Sequence, residues 1–200
     1  MTAQVKPTMR ESRRLQTRER ILGAAIAEFK RSGTAAAEVS AIVTAAGVAH
    51  GTFYFHFPTK EHVLLELECR EEARMAAEFA HFLDGTRELA AALTKIAELV
   101  AGLERRFGRA LFKEVLALHF LPSRPEPDDW TDHPVIVLLV GEIERALGNG
   151  DAHPEADACY SATFFLLGVY GVFCTTDDVA TRDAMLTKLV ASALRGLEAR

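Results

Sequence analysis

The sequence predicts an all-α protein: an N-terminal three-helix module followed by a longer helical region, about nine helices in all. Three observations carry this. Apolar residues recur at three- and four-residue steps, and no run alternates with a period of two. Gly, Pro and Asp punctuate the runs at helix-length intervals. The charge is segregated too: residues 1–60 hold nine Lys/Arg against four acids, a net of +5, whereas residues 61–200 carry −10. The expected division is therefore 1–60 as a basic module with a basic N-terminal arm and 61–200 as an acidic body.

The first helix is expected to start between Ser12 and Thr17, to set Ile21, Ala25 and Phe29 on one face, and to stop at Gly33, where the missing Cβ permits a left-handed cap. Two short helices, residues 39–46 and 50–55, flank Gly47, which allows a tight helix-to-helix turn. The fourth begins after Pro58-Thr59 and runs through Leu64, Leu67, Met75, Phe79 and Phe82 to Asp84-Gly85. The fifth covers residues 86–107 and the sixth reaches Leu121. Four prolines and a cluster of acids then predict a loop over residues 122–134. Helices over residues 134–147, 154–174 and 179–198 complete the chain.

A chain of 200 residues that is 49% hydrophobic and 26% charged can bury a sizeable core. Three cysteines without CxxC spacing argue against a disulfide framework and for a reducing cytoplasm. The first twenty residues lack an apolar signal core, and the apolar run 164–174 falls short of the ~18 residues of a membrane span. Neither export nor a membrane partner is expected.

An arginine-rich helix, a short helix, a Gly turn and a second short helix ending in aromatics is the layout of a helix-turn-helix DNA reader. Ile42 and Val43 can pack on Val48, Phe53 and the first helix, which leaves the opposite face of the third helix free for a major groove. Lys60 sits at the start of the fourth helix, where the dipole disfavours a cation unless an anion lies between; a phosphate there would be held by Lys60 and the free N–H groups. Tyr54 and His56 can donate to phosphate as well. Phe53 and Phe57 are assigned to the core.

Residues 17–33, TRERILGAAIAEFKRSG, and 41–67, AIVTAAGVAHGTFYFHFPTKEHVLLEL, resemble the TetR family of bacterial transcriptional regulators. The likeness rests on AAxxxF, AGV, GTFYxHF and KExxL at fixed offsets, and covers about a quarter of the chain. It implies that Tyr54, His56 and Lys60 contact phosphate, that Gly51 allows close approach, that His50 and Thr52 reach base edges, and that Arg13, Arg14 and Arg18 serve the arm and the first helix. Arg10, Arg13 and Arg14 are equally readable as a solubilising tail or a minor-groove arm. The sequence departs from the family pattern at Glu38 and Ala49, each at a cap position, and at Val43; each lost hydroxyl weakens a cap by about 1 kcal/mol.

The implied function is a ligand-responsive regulator, most simply a repressor that binds a palindromic double-stranded operator as a homodimer and is released by a small, mostly apolar effector. Candidate effector residues are Met75, Phe79, Phe82, Phe107, Phe112, Leu116, His119, Phe120, Trp130, Tyr160 and Phe164, with hydrogen bonds from His119 or Tyr160. Ordinary core packing accounts for many of them equally well. Residues 160–173 are apolar nearly all round. This points to a central core helix or to a subunit interface through Phe165, Gly168, Val169, Gly171, Val172 and Leu189.

No GxSxG elbow, phosphate loop, GxGxxG or HExxH is present, so no enzyme and no cofactor are expected. Glu78 with His81, and His119 with Cys159 and Cys174, are too sparse for a metal site. The alternative function is a helical ligand-binding or architectural protein without specific operator recognition.

Overall fold

The computed structural model describes residues 8–85, 88–120, 129, 131, 133–151, 153 and 155–197. Among them are nine α-helices, one 3-10 turn and no strand. They are α1 (Met9–Ser32), α2 (Val39–Ala46), α3 (His50–His56), α4 (Lys60–Gly85), α5 (Leu89–Phe107), α6 (Arg109–Ala117), the turn Leu118–Phe120, α7 (Pro134–Asn149), α8 (Ala158–Thr175) and α9 (Val179–Leu197). The chain divides into two compact units, Met1–Leu67 and Glu68–Arg200, with the boundary inside α4. The predicted loop over residues 122–134 lies largely outside the described residues.

In the first unit α1 begins earlier than expected. Thr8 caps it: the Thr8 hydroxyl accepts from the Glu11 amide at 3.3 Å, and the Thr8 amide donates to Glu11 Oε2 at 2.7 Å. This reciprocal box satisfies two orphan N–H groups and places Arg10, Arg13 and Arg14 within helix rather than in an arm. Gly33, at φ 77°, ends the helix. Ile21, Ala25, Phe29, Ile42, Phe53 and Phe57 are fully buried, so the apolar stripes of α1, α2 and α3 close on one small core.

The second unit is a bundle in which α7 packs on α8, α8 on α9, and α5 on α9 and α8. Leu93, Ile96, Val100, Leu111, Phe112, Leu139, Ile143, Val169 and Phe173 form its interior. By length and composition α8 is apolar enough to cross a membrane, with a mean hydropathy of 1.5 over 18 residues, and this modifies the expectation drawn from the shorter run 164–174. One face of α8, through Phe165, Val169 and Val172, is buried in its own bundle, while Tyr160, Phe164 and Leu167 are exposed at 61%, 62% and 43%.

Candidate nucleic-acid interface and ligand cavity

The turn between α2 and α3 is built on Gly47, whose φ of 62° is left-handed and strained for a residue with a Cβ. Arg20 of α1 fastens it. Its guanidinium donates to the Ala46 carbonyl (Nε, 3.0 Å) and to the Gly47 carbonyl (Nη2, 2.9 Å), satisfying the orphan carbonyls at the end of α2. The backbone of α3 is thereby anchored to α1. Phe53 and Phe57 point inward, and His50, Gly51, Tyr54 and Phe55 are exposed with Thr52 half-buried. The His50 and Tyr54 rings lie 5.8 Å apart, and the space where a Gly51 Cβ would stand is open. His50 and Tyr54, one turn apart, therefore share a solvent-facing surface of a short helix, whereas Thr52 is half-buried.

His56 and Lys60 are placed differently. His56 is buried; burial first, then the charges of Arg18 and Arg14, hold its imidazole below the ordinary histidine range, so the ring is neutral near pH 7. Its carbonyl accepts from Arg18 Nη1 at 2.5 Å. Lys60 Nζ donates to the carbonyls of Thr34 (2.6 Å), Ala35 (3.2 Å) and Ala37 (3.0 Å), which ties α4 to the loop after α1. In this conformation its ammonium is directed at carbonyls rather than outward to a phosphate. Arg18 pairs with Glu66 at 2.8 Å and stacks over Phe57, 4.1 Å from the ring centroid. Arg14 lies over exposed Phe55, and Arg13 is exposed. Neither Glu38 nor Ala49 makes a side-chain cap.

The second unit contains a cavity of about 240 Å³, at the small end of ligand sites. Six of the predicted residues line it: Met75, Phe107, Phe112, Leu116, His119 and Phe120. Phe79 does not, because it is wholly buried in the core, and Phe82 instead stacks under Lys95. Tyr160 and Phe164 stack on one another on the outer face of α8. Trp130 lies outside the described residues. The polar wall includes residues that the apolar pattern gave no reason to select: Glu68, Glu71, Glu72, His133 and Tyr170.

These polar groups form a connected set. His119 Nε2 meets Glu68 Oε1, His133 Nδ1 bonds Glu72 Oε2 at 3.0 Å, and the two imidazoles lie 5.2 Å apart. Glu71 accepts from Arg106 (2.9 Å) and Arg74 (3.1 Å). Burial, with the carboxylates of Glu72 and Glu68, pushes the Tyr170 phenol far above its usual range, so it stays neutral. Spacing i, i+3, i+4 along α4 brings Glu68, Glu71 and Glu72 to one cavity wall, a signal present in the sequence but indistinguishable there from a solvated face.

The predicted interface residues are also redistributed. Phe165, Val169 and Val172 are buried within the protomer, and Gly168 faces the Leu189 side chain, 3.1 Å from where a Cβ would sit. Gly171 is open.

Residues 21–67 match the family model described as bacterial regulatory proteins, tetR family. The chain is 26% identical over 183 residues, 90% of each protein, to the HTH-type transcriptional regulator UidR of Escherichia coli. Its fold is similar to that of Thermus thermophilus FadR, a TetR-family repressor in complex with lauroyl-CoA (TM-score 0.71, 22% identity, 92% and 96% of the two chains). It is also similar to that of RolR in complex with resorcinol (TM-score 0.65, 20% identity, 94% and 91%). With an N-terminal helix-turn-helix that presents one face of α3 and a helical second unit that contains a cavity, the chain resembles transcriptional regulators of the TetR family, whose model it matches over residues 21–67.

Proposed function

We propose that this regulator is a repressor: a homodimer that binds a near-palindromic operator through α3 and is released when a small molecule enters the cavity of the second unit. The observation that carries the DNA half is the division of α3 into a buried edge, Phe53 and His56, and an exposed one bearing His50, Gly51 and Tyr54, with Thr52 half-buried. A helix held rigidly by one face and open on the other is what a major groove accepts. Support for the effector half comes from the cavity itself and from relatives that hold lauroyl-CoA and resorcinol.

Helix α4 belongs to both units. It carries Lys60 in its first turn and Glu68, Glu71, Glu72 and Met75 on the cavity wall, and its 26 residues extend about 39 Å at ~1.5 Å per residue. A ligand that shifts α4 alters the position of α3 in each protomer, and a fixed half-site spacing then disfavours the bound state.

Selection from a random duplex library should enrich inverted repeats whose half-sites lie about one helical turn, ~34 to 36 Å, apart. Enrichment without symmetry, or salt-dependent binding with no preference over bulk competitor, would favour an architectural role instead.

A further inference from the structure

The cavity wall is chemically one-sided. Its body is aromatic and aliphatic, but its ionisable lining side chains are three glutamates of α4, Asp129 and two histidines, with no Lys or Arg among the described lining residues. Arg74 and Arg106 are both engaged with Glu71.

We propose that this cavity takes a small molecule with an apolar or aromatic body and a hydrogen-bond-donating head, either a protonated amine or a hydroxyl, and turns away carboxylates and phosphates. The inference rests on the cavity being the effector site. The cavity supplies the site, and the glutamates supply its selectivity.

A carboxylate has about four lone-pair positions, so Glu72, which pairs with His133, has capacity to accept from a ligand as well. A donor placed against this acidic wall gains a charge-assisted hydrogen bond, stronger than one between neutral groups. An anion in the same place meets like charge, with no Lys or Arg among the described lining residues to offset it. The volume of about 240 Å³ limits the body to roughly one ring with a short substituent.

Calorimetry on the full chain at pH 7.5 with toluene, benzyl alcohol, benzylamine and benzoate tests this. All four share one ring. Benzyl alcohol and benzylamine should each bind at least tenfold more tightly than benzoate and more tightly than toluene, and their order identifies which donor the site prefers. Leu116→Trp, which puts a large ring into the cavity, should abolish the binding of all four. Benzoate binding as well as benzyl alcohol, with toluene still bound, overturns the donor inference and leaves the cavity as an apolar effector site. No binding by any probe, or binding that survives Leu116→Trp, overturns both.

Discussion

Arg20 Nη2 donates to the carbonyl of Gly47 at 2.9 Å, so the turn that sets the angle between α2 and α3 is braced from α1 as well as by its own Gly47 and Val48 amides, which donate to the Thr44 and Val43 carbonyls. Gly47 stands at φ 62°. Gly47→Ala should lose about 1 to 2 kcal/mol from left-handed strain alone, since the added Cβ would stay 3.5 Å from Arg20 Nη2. Arg20→Met should cost a similar amount by leaving the end of α2 unsatisfied. Urea titrations monitored by circular dichroism measure both, and operator affinity should fall with each because α3 loses its fixed angle. Stability unchanged in Arg20→Met would remove that residue from the turn.

The Lys60 ammonium donates to three carbonyls at 2.6 to 3.2 Å. Lys60→Ala is therefore expected to destabilise the first unit by about 1.5 to 3 kcal/mol, the range for hydrogen bonds to a charged group. Its effect on the salt dependence of DNA binding should be less than one counterion. A slope reduced by a full counterion with stability intact would return Lys60 to the phosphate backbone.

Substitutions on the exposed edge of α3 should separate by type. Tyr54→Phe removes a hydroxyl that can reach phosphate and should weaken all sequences about equally, whereas His50→Ala and Thr52→Ala should change which sequences are preferred. Binding measured across a panel of operator variants distinguishes the two patterns. A sequence-dependent loss in Tyr54→Phe would place its hydroxyl at a base edge.

His56 gives the first unit a defined pH response. Its folded pKa lies below the ordinary histidine value because of burial and then the charges of Arg18 and Arg14, so in this range the unfolded chain binds the proton more readily than the folded one. The stability it contributes is complete above about pH 6.5, the unfolded pKa. It declines as pH falls from there toward the folded pKa. Chemical denaturation at pH 7.5 and 5.5 should show this loss, and His56→Phe should flatten it. An unchanged pH dependence in the variant would assign the loss to other groups.

Much of this was legible in the sequence because helix phase was. Phe53 and Phe57 sit at a spacing that can serve only one face, and both are buried; Tyr54 falls between them and is exposed. The early start of α1 was legible too, in Thr8 followed three residues later by Glu11, but basic residues on either side favour an arm when composition is weighed first. The cavity's acidic wall was not legible, because Glu68, Glu71 and Glu72 have the spacing of any solvated helix face. Nor was the inward face of α8. A helix apolar all round carries no amphipathic phase, so Phe165 and Phe164 cannot be told apart until neighbouring helices cover one of them.

That same helix supplies the test of assembly. Tyr160, Phe164 and Leu167 fall at i, i+4 and i+7, so they form one exposed row, and the Tyr160 and Phe164 rings stack at 5.3 Å between centroids. Val179 and Met185 at the start of α9 are exposed as well, at 58% and 40%. Exposed apolar rows of this kind are costly in water, and a second copy packed about a two-fold axis would relieve that cost. Phe164→Glu should therefore give a folded monomer by light scattering at micromolar concentration, with near-native helicity and much reduced operator affinity, because each half-site is then bound alone. Phe165→Glu should instead fail to fold cooperatively, since it buries an unpaired charge inside the protomer. Gly168→Glu should also act within the protomer, by driving a side chain against Leu189. A wild-type monomer, or a Phe164→Glu protein that remains dimeric, would move the subunit contact away from this face of α8.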